Sequence, residues 1–273
     1  MRSRRLTRLF DPRSSRTLIV PLDHGLAHGP MAGLRGIPSM ISVLGEAQVD
    51  AVVLNPGIAA LCHDVLADHP ALGLIVHLSA GSGLARRRFR RSVVGSVESA
   101  IAQGADAVSV HLNVGADDDV PQLAELARTA EQCRATGTPL VAMMYTCGGS
   151  MRVEHLAHAA RMADELGADI VKLPYPGSAA ALAEIVGNVH CSVVCAGGSI
   201  GAGSDIVEIA NGVVRAGGAG LAVGRQLFQS ANPETLIKIL QQVLHGGPIA
   251  VDPARNGPDG EPFAGPADTA AAS

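Results

Sequence analysis

Tryptophan is absent from this 273-residue chain, and aromatic side chains make up 2% of it, two Tyr and four Phe. The core must therefore be built from aliphatic side chains. Lysine is almost as scarce: of the 21 basic residues, all are Arg except Lys172 and Lys238. No apolar run approaches the ~20 residues that a membrane helix needs. The start, MRSRRLTRLF, is basic but has no apolar segment or cleavage signature of a secretion signal. A formal net charge of −4 gives no reason to expect nucleic acid or an anionic membrane as the main partner. Cysteine is sparse and unpaired in pattern. Cys62, Cys133, Cys147, Cys191 and Cys195 are odd in number and scattered, as expected of reduced thiols in a cytoplasmic protein. None has the paired spacing of a zinc site.

What the sequence does have is a regular alternation. At 47% hydrophobic and 17% charged, it can bury a large core. Short apolar runs stand at 17–23 (TLIVPLD), 51–56 (AVVLNP), 72–78 (LGLIVHL), 107–113 (AVSVHLN), 139–145 (PLVAMMY), 169–173 (DIVKL), 192–196 (SVVCA) and 220–224 (GLAVG). Amphipathic helical stretches separate them, from SMISVLGEAQ to NPETLIKILQQVLHGG. The last has Asn232 as N-cap, Pro233 at its first position and Gly246 past its end. The strands are near-continuous apolar runs, as when both faces of a sheet are covered. Eight strand–helix units predict an α/β fold, a single-domain (β/α)8 TIM barrel. An open doubly wound sheet is the alternative. The barrel spans 17–245, after an N-terminal extension at 1–16 and before a flexible tail at 246–273 rich in Pro, Gly, Ala and Asp.

In such barrels the chemistry sits at the C-terminal ends of the strands. Lys172 lies inside the sixth strand. Burial disfavours the charged form of an amine, and a free amine can attack a carbonyl and draw electrons from the neighbouring carbon. The competing reading is a structural ion pair, for example with Asp23. Tyr145 ends the fifth strand, where a phenol can move a proton beside the lysine, or simply pack in the core. Asp23, at the end of the first strand, either holds Lys172 and shuttles protons or forms a turn before Gly25. His24 is grouped with the substrate-contacting residues. Gly197, Gly198 and Ser199 after the seventh strand, and Gly224 and Arg225 after the eighth, offer backbone N–H groups and a fixed cation to a phosphate. Lys238, in TLIKILQQ, points to solvent. The run RRRFRR (86–91) reads as a solvated loop or, since it follows the third strand, as an arm over the site mouth toward an anionic substrate.

The segments PLDHGLAHGP, HLSAGSG, AVSVHLNVGADDD, PLVAMMY, GADIVK, AGGS and AGLAVGRQLFQ resemble the archaeal-type class I aldolase family over about residues 17 to 240. That family includes fructose-bisphosphate aldolases and amino-dideoxy-heptulosonate synthases, and HLNVG and AMMY look closer to the synthases. The resemblance implies a Schiff-base lysine at Lys172, a proton-donating tyrosine at Tyr145, an acid/base aspartate at Asp23 and a phosphate held by Gly197, Gly198, Gly224 and Arg225. It also implies phosphorylated ketose and aldehyde substrates, no cofactor and a homo-oligomer. A similar enzyme of aminohydroxybenzoate synthesis in GC-rich bacteria joins dihydroxyacetone phosphate to aspartate semialdehyde. The product is a seven-carbon amino keto-acid phosphate.

Two segments depart from the family pattern. Tyr145 is followed by Thr146-Cys147-Gly148 in place of Pro-Arg-Gly, and Lys172 by Leu173-Pro174-Tyr175-Pro176-Gly177-Ser178 in place of Thr-x-Tyr-Thr-Gly-Asp. Both lie where loops would grip the substrate. Two other readings stand beside the Schiff-base aldolase: a metal-dependent aldolase using His24, His77 and His111, and a catalytically dead barrel that senses a sugar phosphate.

Overall fold

The computed structural model describes residues 4–86, 89–115, 119–198 and 205–246. Its eight barrel strands are β1 (Thr17–Pro21), β2 (Ala51–Leu54), β3 (Gly73–His77), β4 (Ala107–Val114), β5 (Leu140–Thr146), β6 (Ile170–Pro174), β7 (Ser192–Ala196) and β8 (Gly220–Ala222). Every strand pairs in parallel with its neighbours in the chain, and β8 returns to β1. The sheet is therefore closed, which gives the (β/α)8 barrel and not the open sheet.

Helices fill the return connections. Those after β6 and β7, Ala179–Gly187 and Ile206–Arg215, begin where Ser178 and Asp205 accept a backbone N–H from Ala181 and Val207. The stretch AALCHDVLADH breaks at Cys62 into two short helices, Pro56–Leu61 and His63–Ala67. Gly246 is the last helical residue of Pro233–Gly246, one position short of the capping role expected for it. The expected tail beyond it lies outside the described residues. Lys238 is exposed, as its helical position required.

Two apolar clusters hold the layers together. The larger lies between strands and helices; the smaller fills the barrel and contains Ile19, Ala51, Val53, Ile75, Ala107, Val141, Met143, Ile170, Val194 and Ala222. These are inward positions, spaced by two along each strand. The floor of the barrel is closed by the N-terminal segment. A 3-10 turn at Leu6–Leu9 brings Leu6, Leu9 and Phe10 into the same inner cluster, with Leu9 fully buried. Leu6, Leu9 and Phe10 of the extension are thus part of the core.

Aspartates tie the floor together. Asp50, just before β2, accepts the backbone N–H of Leu18 at 2.6 Å. Asp106, before β4, accepts that of Leu74 at 3.0 Å, and Asp169, before β6, that of Leu140 at 2.9 Å. Each satisfies a backbone donor at the start of the preceding strand.

Candidate active site

Following the inward positions toward the C-terminal ends replaces the aliphatic layer by polar groups. Ile75 gives way to His77 and Ser79, Ala107 to Ser109 and His111, Val141 and Met143 to Tyr145, and Ile170 to Lys172. Lys172 sits on a rung between Met143 of β5 and Val194 of β7 and is 8% exposed. Its stem is packed in the apolar layer and its amine reaches the polar one.

The mouth has two connected lobes. One, of about 230 Å3, is lined by Asp23, His24, His77, Arg91, His111 and Ser79, among others. The second, of about 560 Å3, is lined by Gly197, Gly198, Gly224, Arg225 and the loop Pro174–Gly177, among others. Lys172, Tyr145, His24 and Arg225 face both.

In the glycine lobe the backbone is bare for a reason. Gly198 takes φ of +76°, which favours glycine, and a Cβ at Gly224 would lie 2.6 Å from His24 Cε1. Gln226 donates its amide N–H to the Gly197 carbonyl at 2.6 Å, fixing the two loops together. Ser199, expected in this set, lies outside the described residues.

The other lobe is a network of rings and carboxylate. Asp23 stands 3.4 Å from His24 Nδ1 and 4.0 Å from His77 Nε2, and its carbonyl accepts the Asn55 amide at 2.9 Å. Burial alone would raise the Asp23 carboxyl, but His77, His24 and Lys172 outweigh it and hold the group below its ordinary value. Burial pushes the imidazoles of His24 and His77 down, against the pull of Asp23. His77 shares a hydrogen bond of 2.8 Å between Nδ1 and Ser109 Oγ. Burial and the Arg91 guanidinium push His111 down to about 3, so it is a neutral ring at neutral pH. That ring stacks on Tyr145 at 4.8 Å and 18°, and its Nε2 meets Asn113 Oδ1 at 3.3 Å. The phenol ring is therefore held flat against His111, on a lining it shares with Lys172.

The structure brings together Lys172, Tyr145, Asp23, His24, Gly197, Gly198, Gly224 and Arg225, all anticipated from strand ends. It does not bring Lys172 and Asp23 into a close ion pair. Among the described residues the charged partners of Asp23 within 4.0 Å are His24 and His77. Both groups line the same lobe of the mouth instead. His24, His77 and His111 do not converge as ligands: no group of three His, Cys, Asp or Glu able to hold a metal exists among the described residues. Ser109 and Gln226 escaped sequence reasoning. The inward spacing of two from Ala107 would have found Ser109.

An amine, a phenol and a carboxylate stand at the C-terminal mouth of this barrel, beside a glycine-lined lobe, and the family match makes the chain an aldolase-type carbon–carbon lyase or synthase. The chain belongs to the DeoC/LacD family of aldolases, whose family model matches residues 17–230. It is 39% identical over 246 residues to 2-amino-3,7-dideoxy-D-threo-hept-6-ulosonate synthase 1 of Archaeoglobus fulgidus, covering 89% of this chain and 90% of that protein. It is 38% identical over 249 residues to the 2-amino-4,5-dihydroxy-6-oxo-7-(phosphonooxy)heptanoate synthase of Streptomyces griseus, again covering 89% and 90%. It is also similar to a solved archaeal fructose-1,6-bisphosphate aldolase whose catalytic Lys is covalently bound to the carbinolamine intermediate of the substrate. That match has a TM-score of 0.78 and 28% identity, covering 89% of this chain and 98% of the other.

Among the described residues, no helix is long and apolar enough to cross a membrane.

Proposed function

We propose that this protein is a Schiff-base aldolase that joins dihydroxyacetone phosphate to aspartate semialdehyde, giving a seven-carbon amino keto-acid phosphate. The observation that carries the reading is the placement of Lys172, a buried amine facing both a glycine-lined lobe with Arg225 and a lobe holding Asp23 and Tyr145. The substrate preference is supported by the names and identities of the two synthases.

In this mechanism the donor phosphate rests on the backbone of Gly197, Gly198 and Gly224 and on Arg225. The Lys172 amine adds to the keto carbon, and Asp23 carries the proton released from nitrogen to the carbinolamine oxygen; the Tyr145 phenol gives that oxygen its second proton as water leaves, producing an iminium and a phenolate. The phenolate of Tyr145 then removes a proton from the adjacent carbon, leaving an enamine and the phenol. The enamine attacks the aldehyde carbon, and the proton on Tyr145 passes to the new alkoxide oxygen. Water then hydrolyses the iminium, releasing product and amine. A resting carboxylate at Asp23 fits the base needed in the first step.

A second reading, a class I fructose-bisphosphate aldolase, is favoured by the likeness to the solved bisphosphate aldolase. Product analysis with dihydroxyacetone phosphate, offering aspartate semialdehyde against glyceraldehyde 3-phosphate, separates the two. The proposal expects a seven-carbon amino product; a sugar bisphosphate as sole product replaces it with the second reading.

A further inference from the structure

The two lobes differ in how they would hold a charged group. The glycine lobe offers backbone and Arg225. To Lys172 and Arg225, which line both lobes, the smaller lobe adds Arg91 among its described residues, half-buried, at the close of the loop that leaves β3. Lys172 and Tyr145 face both lobes, so bond formation is placed at their junction. With the donor phosphate in the glycine lobe, the acceptor must enter from the smaller one.

Arg91 is built into place. Ser79–Ala80 pairs antiparallel with Ser92–Val93, so the residue just before Ser92 is returned to the mouth of β3. Glu125 accepts the Val93 N–H at 3.0 Å, and Asn113 donates its side-chain amide to the Phe89 carbonyl at 2.8 Å. Gly81 leaves room for the arginine; a Cβ there would crowd the Arg91 side chain and lie 2.8 Å from the Arg90 carbonyl. Burial lowers both histidines beside it, His77 and His111, and both lie within reach of its charge. A guanidinium can pair two oxygens of a carboxylate at once; Arg225, which also lines this lobe, is engaged by the donor phosphate in the reading above, which leaves this role to Arg91.

We infer that Arg91 holds the carboxylate of the acceptor aldehyde, making the smaller lobe the acceptor subsite and Arg91 the residue that sets a preference for an anionic acceptor. This rests on the aldolase reading above and adds a specificity residue to it. The lobe, at about 230 Å3, suits a small aldehyde of a few carbons.

The test compares kcat/KM for aspartate semialdehyde with that for glycolaldehyde, an uncharged acceptor, at fixed dihydroxyacetone phosphate. Arg91→Gln should lower the ratio about 100-fold, since a desolvated charge-assisted contact is lost, and Arg91→Lys should restore part of it. Gly81→Ala, which displaces the guanidinium without removing it, should lower the same ratio. Borohydride trapping of dihydroxyacetone phosphate on Lys172 should stay at the parent level in all three, reporting an intact donor half-reaction and a folded site. An unchanged ratio overturns the inference, as does a fall in donor trapping that accounts for the whole loss. A larger loss for glyceraldehyde 3-phosphate than for aspartate semialdehyde also overturns it, because the subsite would then be built for phosphate. If the parent enzyme itself traps no donor, the aldolase reading fails and not the acceptor assignment.

Discussion

The two ends of the barrel use acidic side chains in opposite ways. On the floor, Asp50, Asp106 and Asp169 accept backbone N–H groups from neighbouring strands, and Asp106 also pairs with Arg8 at 2.8 Å. At the mouth, among the described residues, Asp23 accepts no backbone donor from a neighbouring strand; its carboxylate stands beside His24 and His77 in a cavity that Lys172 also lines. The apolar plug of Leu6, Leu9 and Phe10 seals one end, and the other stays open. Satisfied groups rigidify, whereas groups held near one another without full pairing keep their reactivity. The floor is built for stability, and the mouth is where the proposed chemistry falls.

Substitutions at the two ends should therefore separate rate from stability. The largest effect belongs to the mouth. Lys172→Met should lower kcat on the order of 10,000-fold or more, as expected when a covalent nucleophile is removed. The melting temperature should hold or rise, because a buried polar amine is replaced by an apolar side chain of similar length. A large fall in both would blur the division of labour.

Leu9→Ala on the floor should do the reverse. A fully buried leucine is lost from the inner cluster, at a cost of about 2–5 kcal/mol in denaturant unfolding. The kcat and KM of the folded enzyme should be unchanged. If kcat fell with stability intact, the floor would be coupled to the site.

The smallest effect concerns acid. His111 is pushed down from 6.5 to about 3, so the unfolded chain binds its proton more readily than the folded one. Its contribution to stability is present above about pH 6.5 and is lost as pH falls toward 3. His111→Phe keeps a ring on Tyr145 and removes the titration. Its melting temperature should fall less steeply than the parent's between those two values; equal slopes would place the acid sensitivity elsewhere.

Much of this division was legible before any coordinates. The eight apolar runs lie at their strands because a strand covered on both faces must be apolar throughout, and Lys172 stood out as the break in one of them. Tyr145, Asp23 and the glycines followed from strand ends alone. The floor plug was not legible, since Leu6, Leu9 and Phe10 form too short a pattern to distinguish a packed turn from a loose extension. Nor was the separation of Lys172 from Asp23, which depends on barrel tilt and on where His24 and His77 intrude. Arg91 could be placed over the mouth only as one option for an arginine-rich loop. The short ribbon that returns it, Ser92–Val93, is two residues long and gives no periodic signal.

The most direct test of the mechanism uses the scarcity of lysine. Incubation with dihydroxyacetone phosphate and borohydride, followed by peptide mapping, has only two lysines to choose between. The account predicts a reduced donor adduct on Lys172 with loss of activity in step. Turnover that survives with no adduct, or an adduct confined to Lys238, would contradict it.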